Sequence, residues 1–324
     1  MSRSIAKQLE HAVHSCFTPR HSKRADKFNS EIDTSWKIYS LTYRRDMLDL
    51  AKDFGKFMKS NYPKTSKAYN ILPINIDAYL KTKASTCTDK TLEKIITRLG
   101  KLENCCKHTY SNSDFKWSVK SIIKPTSTKN ADFKKDTPIP IEVSKLAIEK
   151  LSERRSEVYR AVILSTYCGM RAEETTCMKA ENIHFTGGEF GYGWVKILKG
   201  PAGGAKGGRP RTIPIINEEA KLMLKKAIDG KKANEYVAES MFGGKMTPDN
   251  VQGTLRNWMD VQYGKKYKGN RCHGLRKTWS QMYYDIVRNS GCVKKDAISK
   301  TNDVIGHGKK RGAQGIDAYV ARMW

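Results

Sequence analysis

Two arginines, two histidines and one late tyrosine follow one another along the C-terminal half of the chain. Arg171 lies in the stretch GMRAEE, His273 and Arg276 lie in HGLR, His307 follows Ile-Gly, and Tyr319 is the only tyrosine after His307. One guanidinium group can donate two parallel hydrogen bonds to two phosphate oxygens, and it keeps its positive charge near neutral pH. A phenol attacks phosphorus when a neighbouring base or a positive field activates it. The set therefore predicts a site that binds a phosphodiester and attacks it with tyrosine.

The order and local context of these motifs resemble the tyrosine recombinase or phage integrase family, which includes the Xer and Cre recombinases. Each short motif can occur by chance, so the resemblance depends on four motifs in the right order within a strongly basic chain. It is close from about Ile141 onward and loose before that residue. It implies a mainly α fold with a small β-sheet: an N-terminal helical core-binding domain and a C-terminal α+β catalytic domain that form a clamp on DNA.

The resemblance also implies a role for each residue of the site. Arg171 and Arg276 grip the scissile phosphate, and Glu174 supports the position of Arg171. His273 is the candidate base that activates the tyrosine, and His307 is a candidate hydrogen-bond donor to the phosphate. Outside this context, Arg-x-x-Glu and His-x-x-Arg pairs are more often ordinary surface pairs. The first motif is predicted to lie on a helix, with Arg171 and Glu174 on one face.

A β-hairpin is predicted to carry the proton donor for the departing 5′-oxygen. Short strands at 194–198 and 211–215 flank a glycine-rich turn, which is the pattern of a hairpin. The stretch 205–214 resembles the family's hairpin with its catalytic lysine, and Lys206 aligns with that lysine without a gap. Lys199 is a second candidate in the same hairpin. An ammonium on a flexible stem suits the transfer of a proton to an alkoxide.

The same turn also resembles a nucleotide-binding P-loop in the distance from Gly200 to Lys206. That motif requires glycine where Ala205 stands and Ser or Thr where Gly207 stands, and it requires a helix where a strand is predicted here. ATP use is therefore not predicted. The acidic residues of the sequence form no cluster that suggests two-metal phosphoryl transfer, so the expected chemistry uses no cofactor and no metal.

Composition favours a nucleic-acid partner independently of the motifs. The 324 residues contain 60 Lys+Arg and 33 Asp+Glu, which gives a net charge of +27, and such an excess fits a polyanion. No apolar run approaches the ~18 residues that span a bilayer, and the first residues contain no signal-peptide core. We expect a cytoplasmic protein on double-stranded DNA with specific sites. The resemblance implies a homotetramer in the synaptic complex, and accessory DNA-bending proteins are compatible with it.

The eight cysteines include no Cys-x-x-Cys pair, so they are predicted to be reduced packing residues. Cys272 lies beside His273 and is the alternative nucleophile.

The predicted organisation is a basic flexible arm at 1–34, a helical core-binding domain at 35–123, a proline-containing linker at 124–140 and a catalytic domain at 141–324. Apolar residues at three- and four-residue spacing predict helices around 47–58 and 92–102, and 74–80 resembles a short helix of the core-binding domain.

Three alternatives stay open beside a site-specific recombinase of a phage or other mobile element. A type IB topoisomerase and a telomere resolvase share the active-site residues, although the resolvase is usually larger than this chain. An inactive DNA-binding regulator is the alternative from a different class.

Tyr319 lies twelve positions after His307, further than in Xer-like members, and five residues follow it. The way in which neighbouring protomers interlock is therefore not predicted.

Overall fold

The computed structural model describes residues 4–19, 21, 23–111, 115–122, 124–128, 138–154, 156–200, 210–264, 266–267, 271–308 and 320. Internal contacts divide the chain into two compact units, Met1–Phe133 and Lys134–Trp324. The boundary between these units falls within the segment 124–140, for which the sequence predicts a linker. Within the described residues, no helix is long and apolar enough to cross a membrane.

The regular elements in the described part of the N-terminal unit are helices and 3₁₀ turns. Its elements are α1 (Ile5–Ser15), α2 (Lys23–Phe28), α3 (Leu41–Asn61), α4 (Pro73–Ala84) and α5 (Asp89–Tyr110), with 3₁₀ turns at Ala68–Asn70 and Val119–Ser121. The helices α3 and α5 confirm the two predicted from apolar periodicity, and α4 covers the stretch 74–80 that resembles a short helix of the core-binding domain. Their buried side chains form one core around Phe54, Tyr79 and Trp117.

The helix α1 corrects the prediction that residues 1–34 form a flexible arm. Its side chains Ile5, Leu9, Ala12 and Val13 share one face and are buried. α1 packs so closely on α3 that a Cβ at Gly55 would lie 2.6 Å from the Cα of Ala6. The prediction failed because the charged neighbours of these residues hide an amphipathic stripe at three- and four-residue spacing, and this stripe is what folds the helix onto the core.

The C-terminal unit combines helices with a small antiparallel sheet. Its helices are α6 (Ile141–Glu153), α7 (Val158–Cys168), α8 (Ala172–Thr175), α9 (Glu218–Ile228), α10 (Pro248–Tyr263), α11 (Arg271–Asn289) and α12 (Lys294–Val304), with a 3₁₀ turn at Ala180–Asn182. Its strands are β1 (Ile183–His184), β2 (Trp194–Ile197) and β3 (Arg211–Pro214).

The sheet has the order β1-β2-β3. β2 and β3 pair antiparallel with Trp194 opposite Pro214 and Ile197 opposite Arg211, so the predicted hairpin strands are confirmed. β1 adds a third strand that was not predicted. Val195 and Ile213 face each other across the hairpin and are buried, which fixes one face of the hairpin against the core.

The central helix of this unit is α7, whose residues from Ala161 to Cys168 are all buried. It packs against α6, α9, α10 and α11, and a mainly apolar helix is expected at such a position. Its C-terminal end therefore lies deep in the unit, and the chain that leaves it carries the first chemical motif.

Candidate active site

Gly169 ends α7 and directs the chain into the first motif. It adopts φ +58°, the left-handed conformation that glycine accepts without cost. A Cβ at this position would lie 2.6 Å from the Trp279 ring of α11, so a side chain is excluded by contact as well. Arg171 consequently lies beyond the helix, as the N-cap of the short helix α8. This corrects the prediction that the first motif lies on a helix with Arg171 and Glu174 on one face.

Glu174 is the buried centre of the site. Its side chain has no exposed surface, and it accepts two hydrogen bonds from Arg171. The Arg171 backbone N–H donates to Oε2 at 2.9 Å, and the guanidinium Nη1 donates to Oε1 at 2.9 Å. The predicted pair of Arg171 and Glu174 therefore exists, and the Glu174 side chain reaches back to the backbone N–H of the N-cap residue at the start of α8.

Arg211, the first residue of β3, binds the same carboxylate with both ends of its guanidinium. Nη1 donates to Glu174 Oε1 at 2.8 Å and Nη2 donates to Oε2 at 2.7 Å. Its side chain is only 8% exposed. Sequence reasoning missed this residue as part of the site. The available signal was strand alternation, because Arg211 shares its face with the buried Ile213, which points the guanidinium inward.

Arg276 reaches the cluster from the second turn of α11. Its side chain is fully buried, and Nη1 lies 3.8 Å from Glu174 Oε2. Nη1 donates to the carbonyl of Gly169, and Nη2 donates to the carbonyl of Ile305. The guanidinium thus joins the end of α7 to the end of α12. The whole HGLR motif lies on α11.

The turn that carries His307 is attached to all three arginines through backbone carbonyls. α12 ends at Val304, whose carbonyl accepts a hydrogen bond from Arg211 Nε at 2.8 Å. The carbonyl of Ile305 accepts from Arg276 and, at 3.4 Å, from Arg171 Nη2. His307 is half-buried. Its predicted role as a hydrogen-bond donor to the phosphate stays a prediction.

Electrostatics keep the Glu174 carboxylate ionised. Burial raises its pKa, but the hydrogen bond and charge of Arg211, the charge of Arg276 and the N–H of Arg171 outweigh burial and lower the pKa to about 2. Three guanidinium groups share this single carboxylate, so the cluster holds an excess of two positive charges. A cavity of about 360 Å³ adjoins it, lined in part by Arg211, Val304 and Gly306. Such an arrangement can bind a phosphate anion.

The other predicted residues are less closely placed. His273 lies in the first turn of α11 and is exposed, and Lys199 follows β2 and is exposed. Lys206 and Tyr319 lie outside the described residues. Burial raises the pKa of the Cys272 thiol to about 12, which argues against Cys272 as a nucleophile. Among the described residues, no group of three or more His, Cys, Asp or Glu is placed to hold a metal ion.

Comparison with protein families identifies this unit. Residues 142–290 match the model of the phage integrase family, a range that contains Arg171, Glu174, Arg211, His273 and Arg276. Residues 142–290 are therefore similar to a domain of the phage integrase family, and the enzyme class that this match supports is the tyrosine-type site-specific recombinase. The comparison with curated proteins finds no match.

Solved structures share the fold over most of the chain. XerH recombinase bound to difH DNA has a TM-score of 0.60 at 14% identity, covering 99% of this chain and 91% of XerH. A lambda integrase dimer bound to a core site has a TM-score of 0.61 at 12% identity, covering 100% and 79%. The Tn1549 transposon integrase with circular intermediate DNA has a TM-score of 0.56 at 13% identity, covering 98% and 95%. At these identities the likeness establishes the fold alone.

Proposed function

We propose that this protein cleaves and rejoins double-stranded DNA at specific sites through a 3′-phosphotyrosyl intermediate, as the recombinase of a phage or other mobile element. The observation that carries the proposal is the buried Glu174 carboxylate with the guanidinium groups of Arg171, Arg211 and Arg276 around it. The excess positive charge of this cluster suits a phosphodiester, and the net charge of +27 suits DNA as its source.

Arg171 is the arginine of this cluster that a phosphate meets first. Its side chain is 16% exposed, whereas that of Arg276 is inaccessible. As a tyrosine attacks, negative charge grows on the non-bridging oxygens of phosphorus, and Arg171 stabilises it by direct hydrogen bonds. The buried guanidinium of Arg276 adds to the positive field at the phosphate without contacting it. It also holds the carbonyls of Gly169 and Ile305 in place.

The proton transfers complete the reaction. Tyr319 forms a new bond from its phenolic oxygen to phosphorus and loses its proton to His273, while the bond from phosphorus to the 5′-oxygen breaks. Lys206, or Lys199 in its place, gives the departing 5′-oxygen a proton. His307 donates a hydrogen bond to the phosphate. Rejoining reverses each of these steps with a 5′-hydroxyl as the attacking group.

The energy of the broken backbone bond is retained in the phosphotyrosyl bond, so strand joining needs neither ATP nor a metal. By the family resemblance, four protomers pair two DNA sites and exchange strands through a Holliday junction. We expect the protein on DNA in the cytoplasm, and accessory DNA-bending proteins are compatible with this assembly.

Covalent trapping tests the proposal. Nicked duplexes from the sequence that flanks the gene lose a short fragment after cleavage, so the enzyme stays attached. We expect the wild type to form a denaturant-resistant adduct on the 3′ side and Tyr319→Phe to form none. Tyr69→Phe is the matched control, because it removes one hydroxyl from a partly exposed tyrosine of the N-terminal unit; it should form the adduct at the wild-type rate. Wild-type binding without any adduct would contradict the proposal and favour an inactive regulator.

A further inference from the structure

Arg211 binds a carboxylate and a carbonyl at the same time. Its two terminal nitrogens donate to the two oxygens of Glu174 at 2.8 and 2.7 Å, and its Nε donates to the carbonyl of Val304 at 2.8 Å. Side-by-side hydrogen bonds between a guanidinium and a carboxylate are among the strongest and most directional contacts in proteins. One nearly buried side chain therefore joins β3, α8 and the end of α12.

The contacts of Arg171 depend on this arrangement. Arg171 makes a single side-chain bond to Glu174, at 2.9 Å, and a longer one of 3.4 Å to the carbonyl of Ile305. Both acceptors are also fixed from the other side: Glu174 is held by Arg211, and Ile305 directly follows the residue whose carbonyl Arg211 binds. The orientation of Arg171 is therefore set by groups that Arg211 holds.

The turn before His307 is built around the Arg211 guanidinium. Gly306 adopts φ +76°, and a Cβ there would lie 3.2 Å from Arg211 Nη1 and 3.3 Å from its Cδ. The backbone at residue 306 approaches this closely only because it has no side chain. Moving Arg211 would therefore displace the turn that presents His307.

We propose that Arg211 is a positioning residue of the cleavage reaction, which acts through Glu174 and the Val304 carbonyl to hold Arg171 and His307 against the scissile phosphate. This inference rests on the proposed function. A lysine cannot replace Arg211, because one ammonium cannot donate to both carboxylate oxygens and to the carbonyl with the same planar geometry. Loss of orientation by a fraction of an ångström to 1 Å slows reactions by up to about 100-fold.

The test compares Arg211→Lys with Arg160→Lys. Arg160 of α7 is the matched control, since its guanidinium also binds one carboxylate, Glu157 at 3.0 Å, and backbone carbonyls, those of Ala227 and Asp229, with 12% of its side chain exposed. The measured quantities are the single-turnover rate of adduct formation, the Kd for the DNA site and the urea midpoint. Both variants keep the charge of the protein, so we expect the Kd to stay unchanged.

We expect Arg211→Lys to slow adduct formation about 10- to 100-fold, and Arg160→Lys to cleave at the wild-type rate with a similar fall in urea midpoint. A second substrate carries a neutral methylphosphonate at the scissile position. It lacks the negative charge of the phosphate that Arg171 would stabilise. On it, the defect of Arg211→Lys should shrink to a few-fold. In a Glu174→Gln background, Arg211→Lys should add little further loss, because the two residues act as one unit.

Three results would overturn the inference: an unchanged rate for Arg211→Lys, an equal loss in both arginine variants, or an equal defect on charged and neutral substrates. If Arg211→Lys does not fold, Gly306→Ala displaces the same guanidinium without removing it and should show the same selective defect. An inactive wild type would overturn the proposed function together with this inference. An active wild type with an unimpaired Arg211→Lys would overturn this inference alone.

Discussion

The buried charge of Glu174 makes a quantitative prediction for Glu174→Gln. The pKa of this carboxyl falls from an ordinary value of 4.5 to about 2 in the folded protein. Because one pKa unit corresponds to about 1.4 kcal/mol, the ionised carboxylate stabilises the folded unit by about 3 kcal/mol at neutral pH. Glutamine keeps the shape and removes the charge, so Arg171, Arg211 and Arg276 lose their shared counter-ion. With a urea dependence of about 2 kcal/mol per molar, the midpoint should fall by about 1.5 M.

The pH dependence gives the sign of the effect. A carboxyl whose pKa is depressed by folding stabilises fully above its unfolded pKa of 4.5, and this contribution is lost as the pH falls towards about 2. The difference in the free energy of unfolding between wild type and Glu174→Gln should therefore shrink from about 3 kcal/mol at pH 7 to about 1.5 kcal/mol at pH 3. The free energy of unfolding of the C-terminal unit is measured separately from that of the N-terminal unit by hydrogen exchange of peptides from α7 and α11 across a urea series.

Glu153→Gln is the control for this measurement, because Glu153 pairs with Lys150 on the surface, with 54% of its side chain exposed. It should leave the urea midpoint at its wild-type value, since exposed pairs contribute little. A Glu174→Gln variant as stable as the wild type at pH 7 would refute the reasoning. So would a destabilisation that is equally large at both pH values, because it would then arise from packing and not from the charge.

Two further predictions concern the end of α7 and the proton donor. Gly169→Ala should destabilise the C-terminal unit by about 2–4 kcal/mol, because it adds a positive-φ side chain against the Trp279 ring; chemical denaturation measures this, and a neutral effect would contradict the close contact. Lys206→Ala should abolish cleavage of ordinary DNA but cleave a substrate with sulfur in place of the bridging 5′-oxygen, because a thiolate leaves without a proton. Lys199→Ala should cleave both substrates; the reverse pattern would make Lys199 the donor.

Local patterns in the sequence predicted much of the fold. The helices α3 and α5 follow from apolar residues at helical spacing, and the β2–β3 hairpin follows from two short apolar strands around a glycine-rich turn. These signals are local, so a single sequence contains them. The stripe of α1 is also local, but charged neighbours obscured it, and packing against Gly55 of α3 decides its structure.

The sequence predicted the site residues that belong to ordered motifs. It did not predict the features of the site that depend on tertiary packing. Arg171, Glu174 and Arg276 were named from the sequence, and the structure brings them together. Arg211 was missed because a cation is buried only where a carboxylate pairs with it, and the sequence does not show that Glu174 lies next to Arg211. Strand alternation indicates only the direction in which the Arg211 side chain points. The break at Gly169 was missed because the helical pattern of α7 continues into the motif, while the left-handed backbone of Gly169 ends the helix.

Mass spectrometry of the trapped adduct tests the central claim most directly. Trypsin cleavage after Arg311 and Arg322 releases a peptide, Gly312–Arg322, that contains Tyr319 as its only tyrosine. After nuclease digestion of the adduct, the account predicts a nucleotide 3′-phosphate attached to this peptide through Tyr319. A nucleotide on any of the other tyrosines, or on a serine or cysteine, would contradict the assignment of the nucleophile.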